Sequence, residues 1–421
     1  MGRRGSTVIA LGAALAFALS SAASAAVPVK LVSRNSAGAS ADSSSRAELS
    51  TTMSGDGRKV VFYSDASNLP GSSSSTGYLS FVRNIRTGKT ALVAKTPGGD
   101  VFDLNAASPA ISANGRYVAF QGMFTGGPGP AGVNQMWLRD LRGGTTRLVS
   151  RSNAGGPAHD QCFAASISAN GRFIVFQSRA DNLPGADGAN FFVYLRDMKL
   201  GKTILVSRTR KGKPAFGEAG TQSISSSGRL VVFRSLDADL QGGDGSNAHV
   251  YLRDVPGHRT ILLDRNERGR VANQSSEFPA VSGDGRFIVF DTIASNMPGG
   301  DGTHGQVYIR NLDHGTIKRV SLGVKGMDPQ TFHGVPSGDG SRVAFTAYVN
   351  ANATTAQVYV RDLRHGTTRI VDKASNGDPP DAAVHGPSIS LDGRFVTFYG
   401  AATNLGATAP WDSVFRAGPI G

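Results

Sequence analysis

Cysteine is nearly missing: Cys162 stands alone in 421 residues. One thiol cannot close an intramolecular disulfide, so the fold must be held by its own core. Beyond the first 25 residues no stretch approaches the roughly 18 consecutive apolar residues of a spanning helix, which excludes a helical membrane anchor there. Aromatics are 8% of the chain and sit mainly within the repeated strands B and C, so a stacking platform for single-stranded nucleic acid is not indicated. The strings GxSxG, HExxH and GxxxxGK[ST] are absent, which removes the short signals of a nucleophile elbow, a zincin helix and a P-loop.

What is present begins with a leader. Arg3 and Arg4 precede an apolar stretch from Val8 to Leu19, and Ala23-Ser24-Ala25 supplies the small residues read by a signal peptidase. Residues 1–25 are therefore expected to be a signal peptide, and the mature chain, from Ala26, a secreted or periplasmic protein. Removing Arg3 and Arg4 takes the formal charge from +13 to +11. Such a surface can attract acidic polymers, but much of the arginine recurs at fixed places, which marks it as scaffold. Arg58, Arg116, Arg172, Arg229, Arg286 and Arg394 follow a turn glycine; Arg83, Arg139, Arg196, Arg253, Arg310 and Arg361 sit in a second repeated strand.

The repeat is SGDGRKVVF at Ser54, SANGRYVAF at Ser112, SANGRFIVF at Ser168, SSSGRLVVF at Ser225, SGDGRFIVF at Ser282, SGDGSRVAF at Ser337 and SLDGRFVTF at Ser390. The turn glycines Gly57, Gly115, Gly171, Gly228, Gly285, Gly340 and Gly393 are 53 to 58 residues apart. Each unit reads as four strands. Strand A ends at the serine, as in Pro279–Ser282; an Asn-Gly, Asp-Gly or Ser-Gly hairpin turn follows, where positive φ is cheap. Strand B is a continuous apolar run, as expected when both faces are covered. Strand C carries the VYLRD pattern, and strand D the TTRLVS pattern at Thr145. After the seventh copy only a strand C equivalent, Ser413–Arg416, remains, while VKLVSR from Val29 matches strand D but precedes the first strand A. The expected fold is all-β: a single seven-bladed β-propeller over 26–421, of four-stranded antiparallel blades, closed by an amino-terminal strand that completes the last blade.

The SxDGRxVxF and VYxRDLxxGxTxxVS strings, with linkers such as SRADNLPGADGAN at Ser178, resemble the TolB-like, WD-type (PD40-like) β-propeller repeats of secreted bacterial proteins. The resemblance covers essentially the whole mature chain and implies the propeller fold. It leaves function open, because this architecture serves lyases, lactonases, peptidase accessory domains and partner-binding platforms.

In a propeller the innermost strand lines a central channel, so the segment leading into strand A converges at one mouth. Its polar occupants are Asn105, Asp160, Gln161, Glu218, Gln274, Glu277, Gln330, His333 and His385. They are the candidate ligand-binding residues; no catalytic residue is assigned. His333 and His385 with Glu218, Glu277 or Asp160 would suit a divalent metal, although no local ligand spacing supports one, and no other cofactor is indicated. The linkers at Asp187, Asp244 and Asp301 resemble fragments of a calcium loop but lack the last acid, which leaves Asp-Gly turns. The expected function is non-catalytic: a monomeric binding or scaffolding propeller that engages a protein or an acidic polysaccharide of the cell envelope through its ring face and channel mouth. The alternative is a propeller-type lyase or hydrolase acting on a glycan or lactone with a channel metal.

Overall fold

The computed structural model describes residues 27–48, 51–72, 77–215, 219–324, 330–348 and 356–421, so the leader and Glu218 lie outside the described residues. Seven four-stranded antiparallel sheets follow one another around an axis. Blade 3 shows the pattern, with strand A at Cys162–Ile167, B at Phe173–Ser178, C at Phe192–Asp197 and D at Lys202–Leu205. Blade 7 takes A, B and C from Val384–Ile389, Val396–Gly400 and Ser413–Ala417, and D from Val29–Leu31. There Val29, Lys30 and Leu31 pair with Ala417, Arg416 and Phe415, so the two ends of the chain close the ring. Among the described residues no helix is long and apolar enough to cross a membrane.

The repeated phenylalanine explains the core. It faces an aromatic directly across on strand C: Phe62 and Phe81, Phe120 and Trp137, Phe176 and Tyr194, Phe233 and Tyr251, Phe290 and Tyr308, Phe345 and Tyr359, Phe398 and Phe415. Ring centroids are 5.6 to 6.1 Å apart where the rings meet directly. Such cross-strand pairs are the unit of sheet stabilisation.

The repeated arginines are structural. Arg116, Arg172, Arg229 and Arg286 form ion pairs of 2.5 to 3.1 Å with Asp140, Asp197, Asp254 and Asp313. On strand C, Arg139, Arg196 and Arg253 each donate to the strand D hydroxyl of Thr146, Thr203 and Thr260 at 3.0 Å. Those hydroxyls donate in turn to the carbonyls of Lys95, Arg151 and Arg208 at the end of the preceding blade. Each blade is thereby latched to the one before it.

Strand A differs from its sequence reading. It starts about three residues earlier, as at Ser276–Val281, and is bulged between its second and fifth residues in blades 3 to 7 and between its third and sixth in blade 2. The bulge residue is left-handed: Ser108, Ala164, Thr221, Phe278 and His333 have φ from 39° to 57°, and Gly386 60°. Five non-glycine residues in this conformation, one per blade, twist the inner strand at the same height around the axis.

Candidate functional site

The channel is a blind well. At the face carrying the A–B turns, backbone hydrogen bonds run from blade to blade: Gly55 N to Ala113 O, Ala169 N to Ser226 O, Ser226 N to Gly283 O, and Gly338 N to Leu391 O. The motif residue after the serine must therefore be small, and it is Gly, Ala or Ser in six copies. The seventh, Leu391, lies across the axis. Its methyls come within 3.1 and 3.0 Å of where a β-carbon on Gly55 or Gly283 would stand. Above it lies a cavity of about 230 Å³, lined by Ile111, Ile167, Ile224, Val281, Ile389 and the five non-glycine bulge residues. Within its wall Thr221 Oγ1, Gln222 Oε1 and His333 Nδ1 are buried polar atoms with no partner among the described residues.

The opposite mouth is where strand A begins and strand B ends. An arc of rings runs along it from blade 5 to blade 7. Phe278 meets His333 at 4.1 Å, Phe332 meets His333 at 4.9 Å and Tyr348 at 5.2 Å, and His385 lies 6.5 Å from Tyr348 and 6.2 Å from Tyr399. In blade 1, Tyr63 and Tyr78 continue the aromatic lining at 5.3 Å, and the Tyr63 hydroxyl donates to Glu48. The arginines set here are paired: Arg46 with Asp412 at 2.6 Å, Arg179 with Asp160 at 2.9 Å, and Arg234 with Glu277 at 2.5 Å.

At the junction of blades 5 and 6 two groups are strongly perturbed. Burial pushes the Asp291 carboxyl up to about 8, against the backbone N–H groups of His333 and Gly334 that donate to it. Asp291 therefore holds the blade 6 bulge from strand B of blade 5. Burial lowers His333 to about 4, with His385 adding to the effect, so its imidazole is neutral at physiological pH.

The residues anticipated from sequence divide into two groups. His333, His385 and Glu277 are half-buried, His333 lining the channel and the other two standing beside it at the mouth. The rest serve loops or strand ends. Gln161 accepts from Asn134 N at 2.8 Å and donates to Gly132 O at 2.9 Å, Gln274 donates to Gly302 O at 3.3 Å, and Asp160 holds Arg179. Asn105 is half-buried at the start of its strand, and Gln330 is exposed. Glu218 lies outside the described residues.

Among the described residues no three of His, Cys, Asp and Glu are grouped to hold an ion. Glu277 and Asp160 are each held by an arginine. The linker acids are turn formers: Asp187 Oδ1 accepts from Ala189 N and Asn190 N, both at 2.9 Å, and Asp244 and Asp301 repeat the pattern. Cys162 is fully buried, and burial pushes its thiol up to about 12.

Sequence reasoning missed the strand B half of the mouth. The residue after the repeated phenylalanine faces the strand A residue just before the bulge, or Arg46 in blade 1: Tyr63, Gln121, Gln177, Arg234, Asp291, Thr346 and Tyr399. A signal existed, because this is a polar or tyrosine position that changes in nearly every copy directly after an invariant apolar run.

Solved structures share this architecture. Oligogalacturonate lyase from Vibrio parahaemolyticus aligns over 93% of this chain and 97% of its own, at 12% identity and a TM-score of 0.58. The β-propeller domain of the Trilobed protease from Pyrococcus furiosus, described as having an open velcro topology, aligns over 90% and 94%, at 13% identity and a TM-score of 0.57. TolB from Acinetobacter baumannii aligns over 86% and 80%, at 14% identity and a TM-score of 0.44. No family model matches the chain, and no curated protein is significantly similar. At these identities the likeness is one of fold: the chain is a seven-bladed β-propeller similar to those of a lyase and a protease.

Proposed function

We propose that the mature chain is a secreted or periplasmic, non-catalytic binding propeller whose open mouth engages a protein partner. The observation that carries this reading is the arc of Phe278, His333, Phe332, Tyr348, His385 and Tyr399 above an apolar well closed by Leu391. Large half-buried rings at a concave mouth bring much contact area at little ordering cost, and aromatics dominate protein recognition. The unpartnered Thr221, Gln222 and His333 atoms supply the few polar groups that orient a ligand. An acidic polysaccharide fits the mouth less well, because Arg46, Arg179 and Arg234 are already engaged by carboxylates.

The lyase-like alternative asks His333 to accept a proton at neutral pH, and a pKa of about 4 makes it a weak base there. The likeness to oligogalacturonate lyase rests on the fold.

Selection from a random-peptide display library on the chain from Ala26 tests the reading. The expected peptides carry apolar or aromatic residues and bind about tenfold more weakly to a Phe332→Ala/Tyr348→Ala variant that unfolds at nearly the parent temperature. A saturable thermal shift with a divalent ion, lost on His333→Ala, would overturn it.

A further inference from the structure

The connections from strand D of one blade to strand A of the next form a repeated hairpin on the periphery of the mouth face. In the six described copies a glycine with φ between 74° and 100° sits at the tip, at Gly38, Gly99, Gly155, Gly212, Gly269 and Gly377. Its N–H donates three residues back in every copy, to Asn35, Thr96, Ser152, Thr209, Asn266 and Ala374. A second backbone bond closes each turn, from the N–H of that same residue to the carbonyl just after the glycine, at Ala39, Asp100, Gly156, Lys213, Arg270 and Asp378, so no tip side chain is common to all six. Four tips are filled with small, neutral or acidic residues: Ser36-Ala37-Gly38-Ala39, Pro97-Gly98-Gly99-Asp100, Asn153-Ala154-Gly155-Gly156 and Ser375-Asn376-Gly377-Asp378.

Two neighbouring tips depart from this. They read Arg210-Lys211-Gly212-Lys213 and Glu267-Arg268-Gly269-Arg270. They flank blade 4, whose strand A begins at Ala219 and whose strand D ends at Leu262. Arg210, Lys211, Lys213, Arg268 and Arg270 are all exposed. The arginines at the hairpin stems are used locally: Arg208 and Arg265 donate to the carbonyls of Gly212 and Gly269 at 2.9 Å. The five tip cations thus exceed what the scaffold needs, and they face a single acid within the tips, Glu267. Like charges gathered on adjacent loops repel one another and are favourable only when a polyanion neutralises them.

We infer that the two basic tips flanking blade 4 form a second binding surface, separate from the channel mouth, for a linear carboxylated polysaccharide of the polyuronate class. Neither tip has an aromatic side chain on which a base could stack, which disfavours single-stranded nucleic acid. Arginine forks pair with carboxylates through two parallel hydrogen bonds. The signal peptide expected over residues 1–25 would carry the chain out of the cytoplasm, where envelope and extracellular glycans are accessible to it. The inference does not rest on the mouth.

The repeat itself supplies the test. In a tip variant, Arg210→Asn, Lys211→Ala, Lys213→Gly, Arg268→Ala and Arg270→Gly bring in residues of the Asn153–Gly156 tip, which preserves the turn. A control variant removes the same charge from the outer strands of other blades, by Lys30→Gln, Lys89→Gln, Arg147→Gln, Lys318→Gln and Arg369→Gln. Binding of the mature chain and both variants to polygalacturonate is measured by affinity electrophoresis across a salt series, beside polyphosphate and duplex DNA. The expected result is retention at low salt that weakens about tenfold or more in the tip variant and far less in the control, with a shallower salt dependence only in the tip variant. Equal loss in both variants, or no retention of the parent, would overturn the inference. Tighter binding of polyphosphate or DNA than of polygalacturonate would overturn the carboxylate assignment.

Discussion

Asp372 is a buried acid that forms no ion pair among the described residues, and replacing it should stabilise the protein in a pH-dependent way. It lies two residues beyond strand D of blade 6, Thr367–Ile370, where its Oδ2 accepts from Val358 N at 2.7 Å while its Oδ1 has no partner among the described residues. The same place is held by Ser150, Ser207 and Ser33, whose hydroxyls accept the matching strand C N–H at 2.9, 3.0 and 3.0 Å. Burial raises the Asp372 carboxyl from 3.8 to about 7. Because the folded-state value is the higher one, the penalty is absent below pH 4, grows between pH 4 and 7, and is complete above that. Its ceiling is roughly 4 kcal/mol, and the effective cost is smaller where the interior relaxes. Asp372→Ser keeps the acceptor for Val358 N and removes the charge. The expected outcome is a gain of about 1–3 kcal/mol at pH 8 and none, or a slight loss, at pH 4. Urea unfolding of parent and variant at pH 4, 6 and 8 measures it. A difference between the two proteins that stays constant from pH 4 to pH 8 would refute the reasoning.

Asp264 holds the equivalent place in blade 4 but lies 2.7 Å from His249 Nδ1, both buried, so Asp264→Ser strips the imidazole of its partner and should lower the unfolding midpoint. Gly171→Ala places a β-carbon 2.3 Å from the Tyr117 ring at φ 76°, whereas Gly38→Ala at φ 93° meets nothing within 4 Å. Calorimetry should show the first costing clearly more than the roughly 1–2 kcal/mol of left-handed strain that the second incurs. Thr260→Val leaves the Arg253 N–H and the Arg208 carbonyl without the hydroxyl that joins them at a blade junction, an expected loss of about 1–3 kcal/mol in urea unfolding, against near-neutrality for the exposed Thr145→Val.

The ring was legible because the same physical requirements recur seven times. A turn glycine, an apolar run and an aromatic across from phenylalanine leave little freedom in each unit, and VKLVSR out of register at the amino terminus identifies the closing strand. The mouth was legible only in part. No residue pattern marks the strand A bulge, since Ser108, Ala164, Thr221, Phe278, His333 and Gly386 all take the same left-handed conformation. Polar residues before strand A were read as channel groups, yet Gln161 and Gln274 satisfy loop backbone, the usual work of an amide beside a turn. The aromatic arc draws its rings from three blades, a juxtaposition that only the curvature of the closed ring creates.

Site-specific photo-crosslinking in the organism that makes the protein tests the central claim most directly. A benzophenone amino acid is placed at Tyr348 in the mouth, and for comparison at Leu200, which is 63% exposed on the opposite face. The account predicts a discrete protein adduct from Tyr348, diminished by Phe332→Ala, and none from Leu200. An adduct from Leu200 alone would contradict it.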